Sequence, residues 1–136
     1  MNWLVSSFLT MICWGVWGLL LKIGSKYFNW QQIFIINSII TLIASLLIFF
    51  LLRPSLNVHS AGFGYVLAAG VLGIVALIVF YYALGSGKAI IVVPLTALYP
   101  VVTTILSYLL LHEEVSLRKG LGIVLALVAI LFISLE

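Results

Sequence analysis

Apolar residues run through this chain in long unbroken stretches, and charged residues fall only between them. Charge occurs at Lys22 and Lys26, at Arg53, at Lys88, from Glu113 to Lys119 and at Glu136, which leaves five apolar segments. We place these at residues 3–21, 31–52, 62–84, 89–111 and 117–135. A bilayer core of about 30 Å is crossed by roughly 20 helical residues at about 1.5 Å each, so every segment predicts a membrane-spanning helix. Barrel strands alternate apolar and polar residues, a pattern these runs lack. Boundary signals fall between the segments: Asn29, then Arg53-Pro54-Ser55, then Gly85-Ser86-Gly87, and Ser116 as an N-cap for the last helix.

Composition narrows the class further. Of 136 residues, 65% are hydrophobic and 7% charged, with a mean hydropathy of +1.39, against about 45–50% and about 25% in soluble domains. Little chain remains outside the spans, which excludes a soluble catalytic domain. Six Lys and Arg against three acids give a net charge of +3, too scattered for the basic stripe of a nucleic-acid partner. Cys13 is the sole cysteine, so no internal disulfide or cysteine-based metal framework can form. The first alanine is Ala44, so no A-x-A cleavage site follows the first segment, which is expected to stay in the mature protein.

Cytoplasmic loops usually hold the excess of Lys and Arg. Here Arg53, Arg118 and Lys119 fall on the side of the N-terminus and Lys22, Lys26 and Lys88 on the other, three against three. Two readings follow: one orientation wins on a weak bias, or two copies insert in opposite directions and pair.

No Asp, Glu, Lys or Arg lies well inside the segments, so a carboxylate proton relay is not supported. The candidate chemistry is aromatic, hydroxyl and amide. Thr10, Trp14, Trp17 and Leu21 share a helix face, and the two deep tryptophans either present indoles to a ligand or pack beside Gly15 and Gly18. Trp3 and Trp30 fit an interfacial belt. Asn37, Thr41 and Ser45 form a polar stripe expected to turn from lipid, with the Asn37 amide bonding a substrate or another helix. Ala69 and Gly73 make a small-residue packing face, and of Tyr81 and Tyr82, about 100° apart, at most one can face a cavity.

Pro94 and Pro100 interrupt the fourth segment among Thr96, Tyr99, Thr103, Thr104 and Ser107. Interior prolines remove backbone bonds and free carbonyls, as in the broken helices of transporter sites, although inert membrane helices tolerate them too. His112-Glu113-Glu114-Val115-Ser116 lacks the second histidine of a metalloprotease motif, so no metal site is expected. Gly122, Ala126 and Ala129 form a second small face, a candidate dimer seam.

The run Pro94-Leu-Thr-Ala-Leu-Tyr-Pro100-Val101, the following Leu-Leu-Leu-His-Glu113-Glu and Gly120-Leu-Gly122 resemble the EamA domain of the drug/metabolite transporter superfamily. Trp14-Gly15 followed by Lys22 agrees with the start of that repeat, so the likeness covers essentially the whole chain. It implies an all-α membrane protein of five transmembrane helices, one EamA-type repeat spanning residues 1–136, of the single-repeat bacterial and archaeal type. Most members carry two repeats. A repeat with an odd number of spans recovers the inverted arrangement only as an antiparallel pair. Small multidrug-resistance relatives have a membrane glutamate in the first span, whereas Trp14 lies in that region here.

The resemblance implies a transporter, an exporter or permease of small organic metabolites, working by alternating access as a homodimer in the prokaryotic cytoplasmic membrane. The residues supply the candidate lining: Trp14, Trp17, Asn37, Tyr81, Tyr99, Pro100 and Ser107. The expected partners are membrane lipid, a small-molecule substrate and a second copy. No cofactor and no enzymatic activity are expected, because no nucleophile and base stand together in the sequence pattern. The alternative is a non-transporting subunit that packs against a different membrane protein and regulates it.

Overall fold

Asn29 sets the start of the second helix through two reciprocal bonds: Gln32 N donates to Asn29 Oδ1 at 2.9 Å, and Asn29 N donates to Gln32 Oε1 at 3.0 Å. The computed structural model describes residues 2–134, and among them it contains six helices and no strand. They are α1 (Trp3–Gly24), α2 (Trp30–Leu52), α3 (Gly62–Ser86), α4 (Ala89–Thr96), α5 (Tyr99–Leu111) and α6 (Leu117–Ser134). Ser116 caps α6, its Oγ accepting from Lys119 N at 3.4 Å. The expected end of the last segment, Leu135, and the charge at Glu136 lie outside the described residues.

Four stretches among the described residues are long and apolar enough to cross a membrane: Trp3–Gly24, Trp30–Leu52, Gly62–Ser86 and Ala89–Leu111. The last is not one continuous helix. It breaks at Ala97 and Leu98, between the two prolines, where Leu98 N turns to Leu95 O at 3.3 Å and Val101 N to Leu98 O at 2.9 Å. Pro100 has no N–H for the Thr96 carbonyl four residues back, so the α-helical ladder cannot continue there. The helix runs through Pro94, by contrast, and the Thr96 hydroxyl bonds back to Val92 O and Val93 O at 2.9 and 3.0 Å.

Contacts gather these elements into two units, Met1–Ser86 and Gly87–Glu136. In the first, α3 packs against both α1 and α2. Its buried residues are Gly18 and Leu21 of α1, Ile33 of α2, and Tyr81 and Leu84 of α3. Packing therefore concentrates where α1 ends, α2 begins and α3 ends. The face of Ala69 and Gly73, expected to pack, lies at the other end of α3, and no neighbouring atom stands within 4 Å of a Cβ placed on Gly73. In the second unit, α4 packs against α6.

Helices α2 and α5 close on non-glycine residues in the left-handed region, Arg53 at φ 44° and His112 at φ 54°. That conformation costs an L residue roughly 1–2 kcal/mol, which glycine avoids. His112→Gly is accordingly expected to stabilise the protein by up to about 1 kcal/mol in reversible unfolding in detergent, after allowance for the looser unfolded chain. A loss of stability would show that the imidazole contributes more than the strain removes.

Candidate functional site

Trp17 leads the aromatic site of the first unit. Its indole stacks on Phe80, with centroids 5.6 Å apart and planes 11° from parallel, and lies 6.2 Å from the tilted ring of Tyr81. Phe34 of α2 meets the same Tyr81 edge-on at 6.4 Å, so one tyrosine touches rings from two other helices. Helix geometry separates the tyrosine pair as expected: Tyr81 is 3% exposed and Tyr82 60%. Tyr82 instead meets Trp30 edge-on at 6.4 Å.

Beside this cluster, Lys22 Nζ donates to Leu84 O at 2.8 Å, tying the last turn of α1 to that of α3. An ammonium suits the negative end of a helix, where carbonyls lack intrahelical donors. Lys22→Gln is expected to cost roughly 1 kcal/mol in the same unfolding measurement, the size of one partly solvated charged hydrogen bond. An unchanged midpoint would show that the tie contributes nothing to stability.

The structure brings Trp17 and Tyr81 together. Trp14, on the same helix face, is exposed because α1 meets its neighbour only in its later turns. Asn37 is half-buried, and its Nδ2 donates to Ile33 O of its own helix at 3.0 Å rather than to another helix. Thr41 and Ser45 bond back in the same way, to Asn37 O at 2.9 Å and Thr41 O at 2.7 Å, and both are exposed. Back-bonding satisfies these groups locally, which is why the stripe needs no second helix.

In the second unit the helix break borders an open cleft of about 350 Å³. Ala97, Leu98, Pro100 and Val101 line it from the break. Lys119, Gly122, Ile123 and Ala126 line it from α6, at the i, i+3, i+4, i+7 spacing of one face, with Thr104 of α5 completing it. Gly122 and Ala126, read from sequence as a dimer seam, thus face a cleft within their own unit. A second cleft of about 340 Å³ adjoins the first at Thr104 and Lys119 and adds Ser107, Thr103, Glu113 and Glu114. Pro100 and Ser107 therefore line separate, adjoining clefts, while Tyr99 is exposed at the start of α5.

Sequence comparison places this chain in a family. The chain matches the EamA-like transporter family over residues 1–135. It belongs to that family. It is therefore an integral, multi-pass membrane protein of a family of transporters rather than enzymes. The uncharacterized protein MJ1333.1 of Methanocaldococcus jannaschii is 40% identical over 72 residues, 53% of each chain. The match thus spans about half the length of that relative. No solved structure matches the chain.

Several residues at these sites escaped the sequence reading. Phe34 and Phe80 look like ordinary lipid-facing apolar residues until α2 and α3 are packed. Lys119 reads only as a charge at the start of the last segment, yet its spacing from Gly122, Ile123 and Ala126 was the available signal that it shares their face.

Proposed function

We infer that this EamA chain is half of a transporter, which pairs with an oppositely inserted second copy and moves small organic metabolites by alternating access. The helix break at Ala97 and Leu98 beside the two clefts carries this reading. Broken membrane helices offer unpaired backbone groups and a hinge, the parts from which transporter sites are made. In this reading α1, α2, α3, the α4–α5 pair and α6 make five spans of a single repeat, in the cytoplasmic membrane of a prokaryote. Trp14, Trp17, Asn37, Tyr81, Tyr99, Pro100 and Ser107 supply the substrate-binding set.

Two observations support the pairing. The Lys and Arg count is equal on the two sides, as opposite insertion of one sequence requires. The four candidate spans also leave most of their surface uncovered by the chain itself, which is room for a second copy as well as for lipid.

Reconstitution of the purified chain alone in liposomes, loaded with a panel of labelled small metabolites, tests the function. Saturable flux is expected from this chain without another protein. Absence of flux across the panel, with the chain isolated in a fixed ratio to an unrelated membrane protein, would instead identify a regulatory subunit.

A further inference from the structure

The cleft beside the helix break has an asymmetric lining. One basic side chain, Lys119, is the third residue of α6, and Ala126 is its tenth, so the α6 wall extends about 10 Å along the helix. Beyond Lys119 that wall is Gly122, Ile123 and Ala126, faced by Leu98 and Pro100. No atom stands within 4 Å of a Cβ placed on Gly122, so the groove is open at its middle. A cationic amine near the start of an apolar helix, followed by an uncharged apolar groove running along it, suits a molecule with the same polarity. The volume of about 350 Å³ is within the range of about 300–1,000 Å³ for small-molecule sites.

We propose that this cleft binds an anionic amphiphile, its acid group at the Lys119 amine and its apolar chain along Gly122, Ile123 and Ala126 opposite Pro100. The Thr104 hydroxyl bonds Pro100 O at 2.8 Å, and its oxygen keeps lone-pair capacity rather than a second proton, so Lys119 supplies the charge recognition. Glu113 and Glu114 line the adjoining cleft, which Lys119 also lines, and oppose an anion there. Removing either carboxylate therefore strengthens binding, whereas removing the amine weakens it. The proposal deepens the transporter reading by naming a substrate class, and rests on it only for movement of the ligand, not for binding.

A diazirine-bearing analogue of decanoate, photolysed with the full-length protein in phosphatidylcholine nanodiscs and mapped by peptide mass spectrometry, tests it. Cross-links are expected on α5 and α6 around Pro100 and Ile123, displaced by decanoate but not by decanol. Lys119→Gln is expected to reduce labelling about tenfold, the effect of losing one charge-assisted hydrogen bond, while Lys119→Arg retains it and Glu113→Gln raises it. Displacement by phosphatidylglycerol nanodiscs in place of added decanoate would assign the acid group to a membrane lipid; displacement by decanoate alone would assign it to a free acid. Equal displacement by decanol, or labelling unchanged in Lys119→Gln while Lys119→Arg behaves as the parent, overturns the proposal. Binding without flux of decanoate in liposomes would keep this site and reject transport, and flux of other metabolites without cleft labelling would do the reverse.

Discussion

Replacing Pro100 by alanine is expected to join α4 to α5 and to reduce metabolite flux at least tenfold. Alanine restores an N–H at position 100 for the Thr96 carbonyl, and interior proline disfavours a helix by about 3 kcal/mol relative to alanine. The turn at Leu98, held by bonds that span three residues, from Leu98 N to Leu95 O and from Val101 N to Leu98 O, then competes with an uninterrupted ladder. Closing the break draws Ala97 and Leu98 into a regular helix and removes the wall they give the cleft. Hydrogen exchange at residues 97–101 reads the first effect, with slower exchange expected, and liposome flux reads the second. Pro94→Ala is the internal control, because α4 already continues through Pro94. Slower exchange at residues 97–101 with undiminished flux would show that the break has no part in transport.

Tyr81→Ala is expected to destabilise the first unit by about 2 kcal/mol, below the range of about 3–5 kcal/mol for a buried aromatic in a water-soluble core. Within a bilayer the loss is one of packing rather than of hydrophobic transfer, since lipid tails are as apolar as the helix surface. Tyr81 holds contacts with Trp17, Phe34 and Phe80, from all three helices of its unit, and although Trp17 and Phe80 also stack on each other, Tyr81 is the ring that joins them to Phe34 of α2. Tyr82→Ala, one residue on, is expected to cost less than about 1 kcal/mol, because that side chain is 60% exposed. Unfolding of both variants in mixed micelles provides the comparison. Similar losses at the two positions would mean that the ring cluster does not hold the helices together.

Element limits and the helix break were legible because they depend on local chemistry. Asn29 and Ser116 cap helices through their own side chains, and Pro100 removes a specific backbone donor wherever the chain lies. The division of Tyr81 from Tyr82 follows from the rotation between successive helical residues. Packing partners were less legible. Trp14 and Trp17 share a periodicity, yet only Trp17 reaches a neighbouring helix, because α1 and α3 meet over part of their length. Asn37 signalled a need for a partner without specifying that its own helix would provide one. Lys119 entered the sequence reading as a charge in the Lys and Arg count, whereas the structure places it along the apolar cleft.

That one sequence supplies both halves of the transporter is tested most directly by its orientation. Single cysteines at Ser55 and Ser60, in the exposed connection between α2 and α3, are introduced in a Cys13→Ser background and labelled from each side of sealed membranes. Comparable fractions of the chain labelled from the two sides are expected, as two opposed populations require. Labelling from one side only would contradict the antiparallel homodimer.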